Sequence, residues 1–218
     1  MEPKADWLAV PYWFNDYHIL NSNTILDVHP LPCVDDILTD CGKGKIWSKL
    51  DMTNSFQTLV HPDSVLLTTV TTPFRLYEWI VMSMGLKNAP PIHQWWMMAV
   101  LCEYIGQFCH VCIDDVVIWS DNLDEHQKHI DLIMQALQLL HLYLNSKKCQ
   151  SFITKLDFLG HHISACGIKP QSSKCDKIMR WPKPWLATDI RGFLGLVRYI
   201  AGFLPKLTDH TVVLGVGP

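Results

Sequence analysis

Arginine is scarce in this 218-residue chain, with four (Arg75, Arg180, Arg191 and Arg198) against 14 lysines. Net charge is low as well, at −3. Neutralising phosphates supplies most of the affinity of a nucleic-acid-binding protein, so the whole-chain balance lends such binding no support, and a basic face would have to be local. No uncharged apolar run reaches the ~18 residues of a membrane helix, and no membrane span is expected. The opening Met1-Glu2-Pro3-Lys4-Ala5-Asp6 lacks the basic-then-apolar layout of a signal peptide. An intracellular, reducing setting, cytoplasmic or nuclear, is therefore expected, with the eight cysteines as free thiols. Internal repeats and low-complexity linkers are missing too.

What is present is apolar. At 49% hydrophobic residues the chain can bury the core of one large domain, or one domain plus a fragment, and it holds nine tryptophans. The first dozen residues, broken by Pro3 and Pro11, read as irregular. His29-Pro30-Leu31-Pro32 reads as extended, because the residue before a proline is pushed out of the helical region. Residues 34–38 put acids in a first turn and predict a short helix. Residues 46–50 read as a strand running into Asp51. Residues 68–82 are β-branched and aromatic, with a turn at 73–75. Helices are predicted over 91–105 and 123–142, and a strand pair over 108–119. Short strands near Phe152 and over 158–163 precede helices near 172–180 and 189–203, and 211–218 reads as a ragged end. This mixture without strict βαβ alternation predicts an α+β fold.

Phe108-Cys-His-Val-Cys-Ile-Asp114-Asp115-Val-Val-Ile-Trp119 is the most informative segment. Adjacent acids join two β-runs where a tight hairpin favours Asn-Gly or Asp-Gly, and such a local misfit often marks function. A solvent-exposed acidic turn is the competing reading. Asp51 ends a strand of its own, and pairing of the two segments would bring three carboxylates together. Two charges about 4 Å apart repel by roughly 4 kcal/mol at an effective dielectric near 20. Divalent cations such as Mg²⁺ remove that cost, and two of them suit in-line phosphoryl displacement.

In order, the chain shows Asp16-Tyr17-His18-Ile19-Leu20-Asn21, His29-Pro30-Leu31-Pro32, Ser48-Lys49-Leu50-Asp51-Met52, Leu76-Tyr77-Glu78-Trp79 and Met84-Gly85-Leu86-Lys87-Asn88-Ala89-Pro90. Ile113-Asp114-Asp115, Leu142-Tyr143-Leu144-Asn145 with Lys147-Lys148-Cys149, Phe158-Leu159-Gly160-His161 and Phe193-Leu194-Gly195-Leu196 follow. That ordered set, over residues 12–204, resembles the reverse transcriptase of gypsy-type (Metaviridae) LTR retrotransposons. The resemblance implies an α+β right-hand polymerase: an irregular lead over 1–11, fingers and palm over 12–165, the start of a thumb over 166–210 and a ragged tail over 211–218. It implies an RNA-directed DNA polymerase that adds dNTPs to a DNA primer on an RNA or DNA template, using two Mg²⁺ ions that Mn²⁺ can replace. Virus-like particles then join the expected locations.

It also implies roles. Asp51, Asp114 and Asp115 are the catalytic carboxylates and, with Met52, the metal site. Phe56 is the gate against a ribose 2′-hydroxyl. His18, Asn88, Ala89 and Pro90 fall in the nucleotide pocket, and Lys87, Phe158, Leu159 and Gly160 on primer and template. The pattern departs from the family at His18, where arginine is usual, at Cys112, and after Asp51, where Ser55-Phe56-Gln57 runs one residue short. Loss of one residue in a strand flips the later side chains to the other face. Single transitions in arginine codons beginning CG give Trp, Cys, Gln or His, so Trp95, Trp96, Cys33, Cys166 and His18 are candidate scars of a decaying copy. An inactive relic or co-opted nucleic-acid-binding fold is therefore the alternative, and arginine at these positions in a sister copy would support it.

Of the remaining signals, Cys109 and Cys112 have zinc-knuckle spacing but read as thiols in an apolar strand. Met82, Met84, Met97 and Met98 with Trp95 and Trp96 read as core. Trp119 is expected beneath the acidic turn, and most histidines on the surface or in loops. Lys147 and Lys148 read equally as phosphate contacts or as a solvated pair.

Overall fold

The computed structural model describes residues 15–30, 32–53, 58–204 and 207. The chain divides into two compact units, Met1–Ile153 and Thr154–Pro218. The irregular lead over 1–11, Leu31, the gate segment with Ser55, Phe56 and Gln57, and the tail over 211–218 lie outside the described residues.

The first unit runs α1 (His18–Asn23), α2 (Val34–Cys41), β1 (Ile46–Thr53), α3 (Pro62–Val65), β2 (Val70–Thr71), β3 (Leu76–Tyr77), α4 (Ala89–Val100), β4 (Cys109–Cys112), β5 (Asp115–Ser120), α5 (Leu123–Leu139), β6 (Tyr143–Leu144) and β7 (Gln150–Ile153). Its main sheet is antiparallel, with β5 between β4 and β1 and with β6 and β7 on the far edge of β1. β1 and β5 stay in register over six pairs, from Ile46 opposite Ser120 to Asp51 opposite Asp115. Leu50, Val116 and Ile118 turn inward against Met97 of α4 and Ile133 and Leu137 of α5. Burying each such side chain stabilises by about 1.5–3 kcal/mol, so this core fixes the sheet's register.

Local chemistry sets the ends of these elements. The Asn122 side chain accepts from the Glu125 N–H at 2.9 Å, capping α5, and Asp124 and Glu125 complement its dipole. Pro90 and Pro91 occupy the first turn of α4, where a missing N–H costs nothing. That helix stops at Val100, five residues short of the predicted end, because the chain continues as separate turns and reverses at Gly106 with φ 79°. A Cβ on Gly44 would lie 2.8 Å from the Trp119 Cβ, so only glycine fits there. Trp119 itself sits opposite Trp47, stacked on His110, at the far end of β5 from the acids rather than beneath them. Of the Met and Trp stripe, Met82 and Met97 are buried while Trp95 is exposed. His93, His126 and His161 are core residues, not surface ones.

The second unit holds β8 (Lys155–Phe158), β9 (His161–Ser164) and β10 (Gly167–Pro170) in one antiparallel sheet, then α6 (Ser172–Met179) and α7 (Ala187–Arg198). Leu156, Phe158 and Ile163 are its buried face. The Asp189 carboxylate accepts from the Trp185 and Leu186 amides at 3.0 Å each, which caps α7 and lowers its pKa. Among the described residues no helix is long and apolar enough to cross a membrane. Helices with antiparallel sheets make the α+β class expected from the pattern.

Candidate active site

The β1–β5 register puts Asp51 directly opposite Asp115, and side chains of such a pair lie on one face with Cβ atoms roughly 5 Å apart. Asp114 occupies the tip of the β4–β5 hairpin, and its carbonyl accepts from the Met52 N–H at 3.1 Å. The three acids singled out in the sequence therefore meet at one end of the sheet. Met52 joins them through its backbone, while its side chain is buried.

The awkward turn has a support that the sequence did not reveal. Ile113 has φ 55°, a left-handed conformation that a β-branched residue rarely adopts. Gln94, fully buried on α4, holds it there: its Oε1 accepts from the Ile113 N–H at 2.7 Å, and its Nε2 donates to the Val111 carbonyl at 3.1 Å. Strain at the tip is thus held by a buried amide one helix away. A lone glutamine in a helical pattern gives no signal of this.

Each carboxylate has a basic side chain at hand. Lys49, two residues along the same face of β1, reaches Asp115 Oδ2 at 2.9 Å. Lys148 reaches Asp51 Oδ2 at 3.3 Å, so it is neither simply solvated nor free of the acids. His93, with no exposed side-chain surface, places Nε2 3.6 Å from Asp114 Oδ1. Burial lowers the His93 pKa, and the Asp114 charge and the Ile113 carbonyl oppose that shift. Burial also raises the Cys112 thiol, beside Asp115 in the ladder, and pushes Cys109 up to about 12, so both are inert thiols in β4.

The other expected site residues fall in separate places. Lys87, Asn88 and Ala89 line one cavity of about 360 Å³ in the first unit, together with Asn21, Thr58 and Met82. There the Asn88 amide donates to the Ile25 carbonyl at 2.8 Å and accepts from the Asp27 N–H at 3.1 Å. Lys87 Nζ donates to the Thr24 carbonyl at 2.9 Å. Pro90 is exposed, and His18, with a 97% exposed side chain, pairs with Asp16. Phe158, Leu159 and Gly160 form the β8–β9 turn of the second unit, with Leu159 and Gly160 at φ 45° and 67°.

Residues 10–163 match the reverse transcriptase (RNA-dependent DNA polymerase) family. This chain belongs to that family. The Pol polyprotein of transposon 297 from Drosophila melanogaster is 35% identical over 195 residues, covering 89% of this reverse transcriptase chain and 18% of the polyprotein. The transposon Tf2-3 polyprotein of Schizosaccharomyces pombe is 29% identical over 197 residues, covering 90% of this chain and 15% of that one. The chain thus spans less than a fifth of the length of these relatives. A foamy viral protease–reverse transcriptase solved with double-stranded DNA superposes with a TM-score of 0.84 at 22% identity, over 99% of this chain and 38% of that one. Another, with an RNA/DNA hybrid, gives 0.70 at 24% identity, over 84% of this chain and 25% of that one. The fold is accordingly that of right-hand polymerases, and the gypsy-type affinity read from the motifs holds.

The acidic cluster fits a hard divalent cation by its donors, which are carboxylate oxygens of Asp51, Asp114 and Asp115, each already compensated by a positive or ionisable partner. Among the described residues no three His, Cys, Asp or Glu side chains are gathered as a ligand set. Lys49 and Lys148 are in contact with carboxylate oxygens of Asp115 and Asp51 that a cation would take.

Proposed function

We propose that this reverse transcriptase chain extends a DNA primer with dNTPs on an RNA or DNA template, as an RNA-directed DNA polymerase. Asp51 and Asp114 would hold two Mg²⁺ ions, with the Met52 backbone beside them and Asp115 completing the cluster. Mn²⁺ would serve in their place. Bound there, such ions supply charge neutralisation and activation of the primer hydroxyl. The observation that carries this reading is the β1–β5 register, which sets Asp51 against Asp115 with Asp114 at the adjoining tip. Asn88 and Ala89, which line the cavity, would serve the incoming nucleotide, as would His18 and Pro90, and Phe56 would be the gate against a ribose 2′-hydroxyl. Lys87 and the turn of Phe158, Leu159 and Gly160 serve template and primer. An A-form-like duplex would be recognised by backbone and shape.

A second reading, an inactive relic that at most binds nucleic acid, draws support from His18. An exposed imidazole paired to Asp16 is a poor stand-in for arginine's permanent, bidentate charge on a triphosphate. Primer extension on poly(rA)–oligo(dT) with Mg²⁺ or Mn²⁺, beside Asp114→Asn, separates the two. Extension lost in the variant supports the polymerase; no extension by folded wild-type protein supports the relic.

A further inference from the structure

The outer edge of β1 is paired in two pieces. β6 meets it at Met52 and Thr53, and β7 at Lys49 and Trp47, so the backbone of Asp51 falls between them, beside the turn over 145–149. That turn grips Asp51 at three points. The Asn145 N–H donates to the Asp51 carbonyl at 2.8 Å, filling half of the gap. Lys148 Nζ reaches the carboxylate at 3.3 Å. The Asp51 N–H donates to Cys149 Sγ at 3.4 Å, and the thiol lies 3.8 Å from the Asp51 carbonyl, towards which it is the donor. Sulfur thus occupies the place that a strand carbonyl holds elsewhere in the ladder.

We propose that Cys149 is a positioning residue for Asp51, fixing the backbone from which the carboxylate projects. A partly buried peptide N–H needs an acceptor, and at this point the chain has left β6 and not yet entered β7. A large, polarisable sulfur anchored against the core bridges the distance. The Asp51 backbone is then held from both edges, by the hairpin through Met52 and Asp114 on one side and by Asn145 and Cys149 on the other. An alanine at 149 would leave the Asp51 N–H unmet and free to tilt. A serine keeps an acceptor, though on a shorter bond.

The catalytic consequence rests on the polymerase reading above, whereas the hydrogen bond does not, and the experiment keeps them apart. Amide hydrogen exchange at Asp51 is measured in the wild type, Cys149→Ser and Cys149→Ala, with Met52 as internal reference. Mn²⁺ binding by electron paramagnetic resonance and the urea midpoint are measured on the same samples. Loss of the bond should speed Asp51 exchange about tenfold in Cys149→Ala, with Met52 unchanged, Mn²⁺ binding weakened and Cys149→Ser within about threefold of the wild type. Primer extension should show kcat down about tenfold in Cys149→Ala with KM for dNTP unchanged. Equal Asp51 exchange in all three proteins overturns the proposal, as does a serine variant no better than alanine. If Cys149→Ala does not fold, the wild type decides: an Asp51 amide as protected as Met52 supports the bond, and one exchanging like an open turn overturns it. If the wild type extends no primer, the polymerase reading falls while exchange and Mn²⁺ binding still decide the role of Cys149.

Discussion

His126 ties helix to sheet in the first unit, and acid should untie it. Its Nε2 lies 2.7 Å from Ser48 Oγ on β1, and its Nδ1 lies 2.8 Å from Ser120 Oγ on β5. Ser48 Oγ also accepts from the Phe152 N–H at 3.0 Å, and Ser120 Oγ is 2.8 Å from His129 Nδ1. A neutral ring donates at one nitrogen and accepts at the other; a protonated ring donates at both and carries a buried charge that these uncharged hydroxyls do not balance. Burial, with His129 adding to it, lowers the His126 pKa from 6.5 to about 4. The unfolded chain therefore binds the proton first, so stability present above pH 6.5 is lost as pH falls towards 4. At 1.36 kcal/mol per pH unit, the loss between pH 7 and pH 5 is about 2 kcal/mol. His126→Gln keeps one donor and one acceptor and does not titrate. Urea unfolding of both proteins across that range should show the wild type losing about 2 kcal/mol more than the variant. Aspartates lowered by their partners, such as Asp40 beside Lys43 and His110, lose stability in both proteins alike and cancel. Parallel losses would refute the reasoning.

Gln94→Leu should unfold at lower urea, by roughly 2–4 kcal/mol, because it leaves the Ile113 N–H and Val111 carbonyl unmet; an unchanged midpoint would show that the tip needs no clamp. Lys148→Met removes the competitor for Asp51, and an exposed ion pair of this kind is worth up to about 1 kcal/mol. Mn²⁺ affinity should rise by up to about fivefold, and weaker binding would show that Lys148 supports the site. Gly160→Ala puts a Cβ 3.0 Å from the Tyr199 ring at a φ of 67°, which should cost the second unit roughly 1–2 kcal/mol, read as faster limited proteolysis after Ile153.

Asp51, Asp114 and Asp115 were legible because each sits at the end of an apolar β-run, and strand pairing then leaves few ways to place them. The order of motifs supplied the family. Features that depend on long-range contact were not legible. Nothing in a local pattern says that Gln94 will face Ile113, that His93 will lie under Asp114, or that the two-lysine run will curl back on Asp51 through Cys149. Trp119 was misplaced because its alternation fixes a face, not a position along the strand. The helix over Ala89–Val100 was read too long because residues 101–105 keep helical composition while the reversal at Gly106 ends it. The shortened segment around Phe56 lies outside the described residues.

The most direct test is primer extension by the wild type beside Asp51→Asn, Asp114→Asn and Asp115→Asn, with Asp121→Asn, an exposed acid at the opposite end of β5, as control. The account predicts extension by the wild type and the control and its loss in Asp51→Asn and Asp114→Asn, with Asp115→Asn impaired. Extension that survives Asp51→Asn or Asp114→Asn would contradict it.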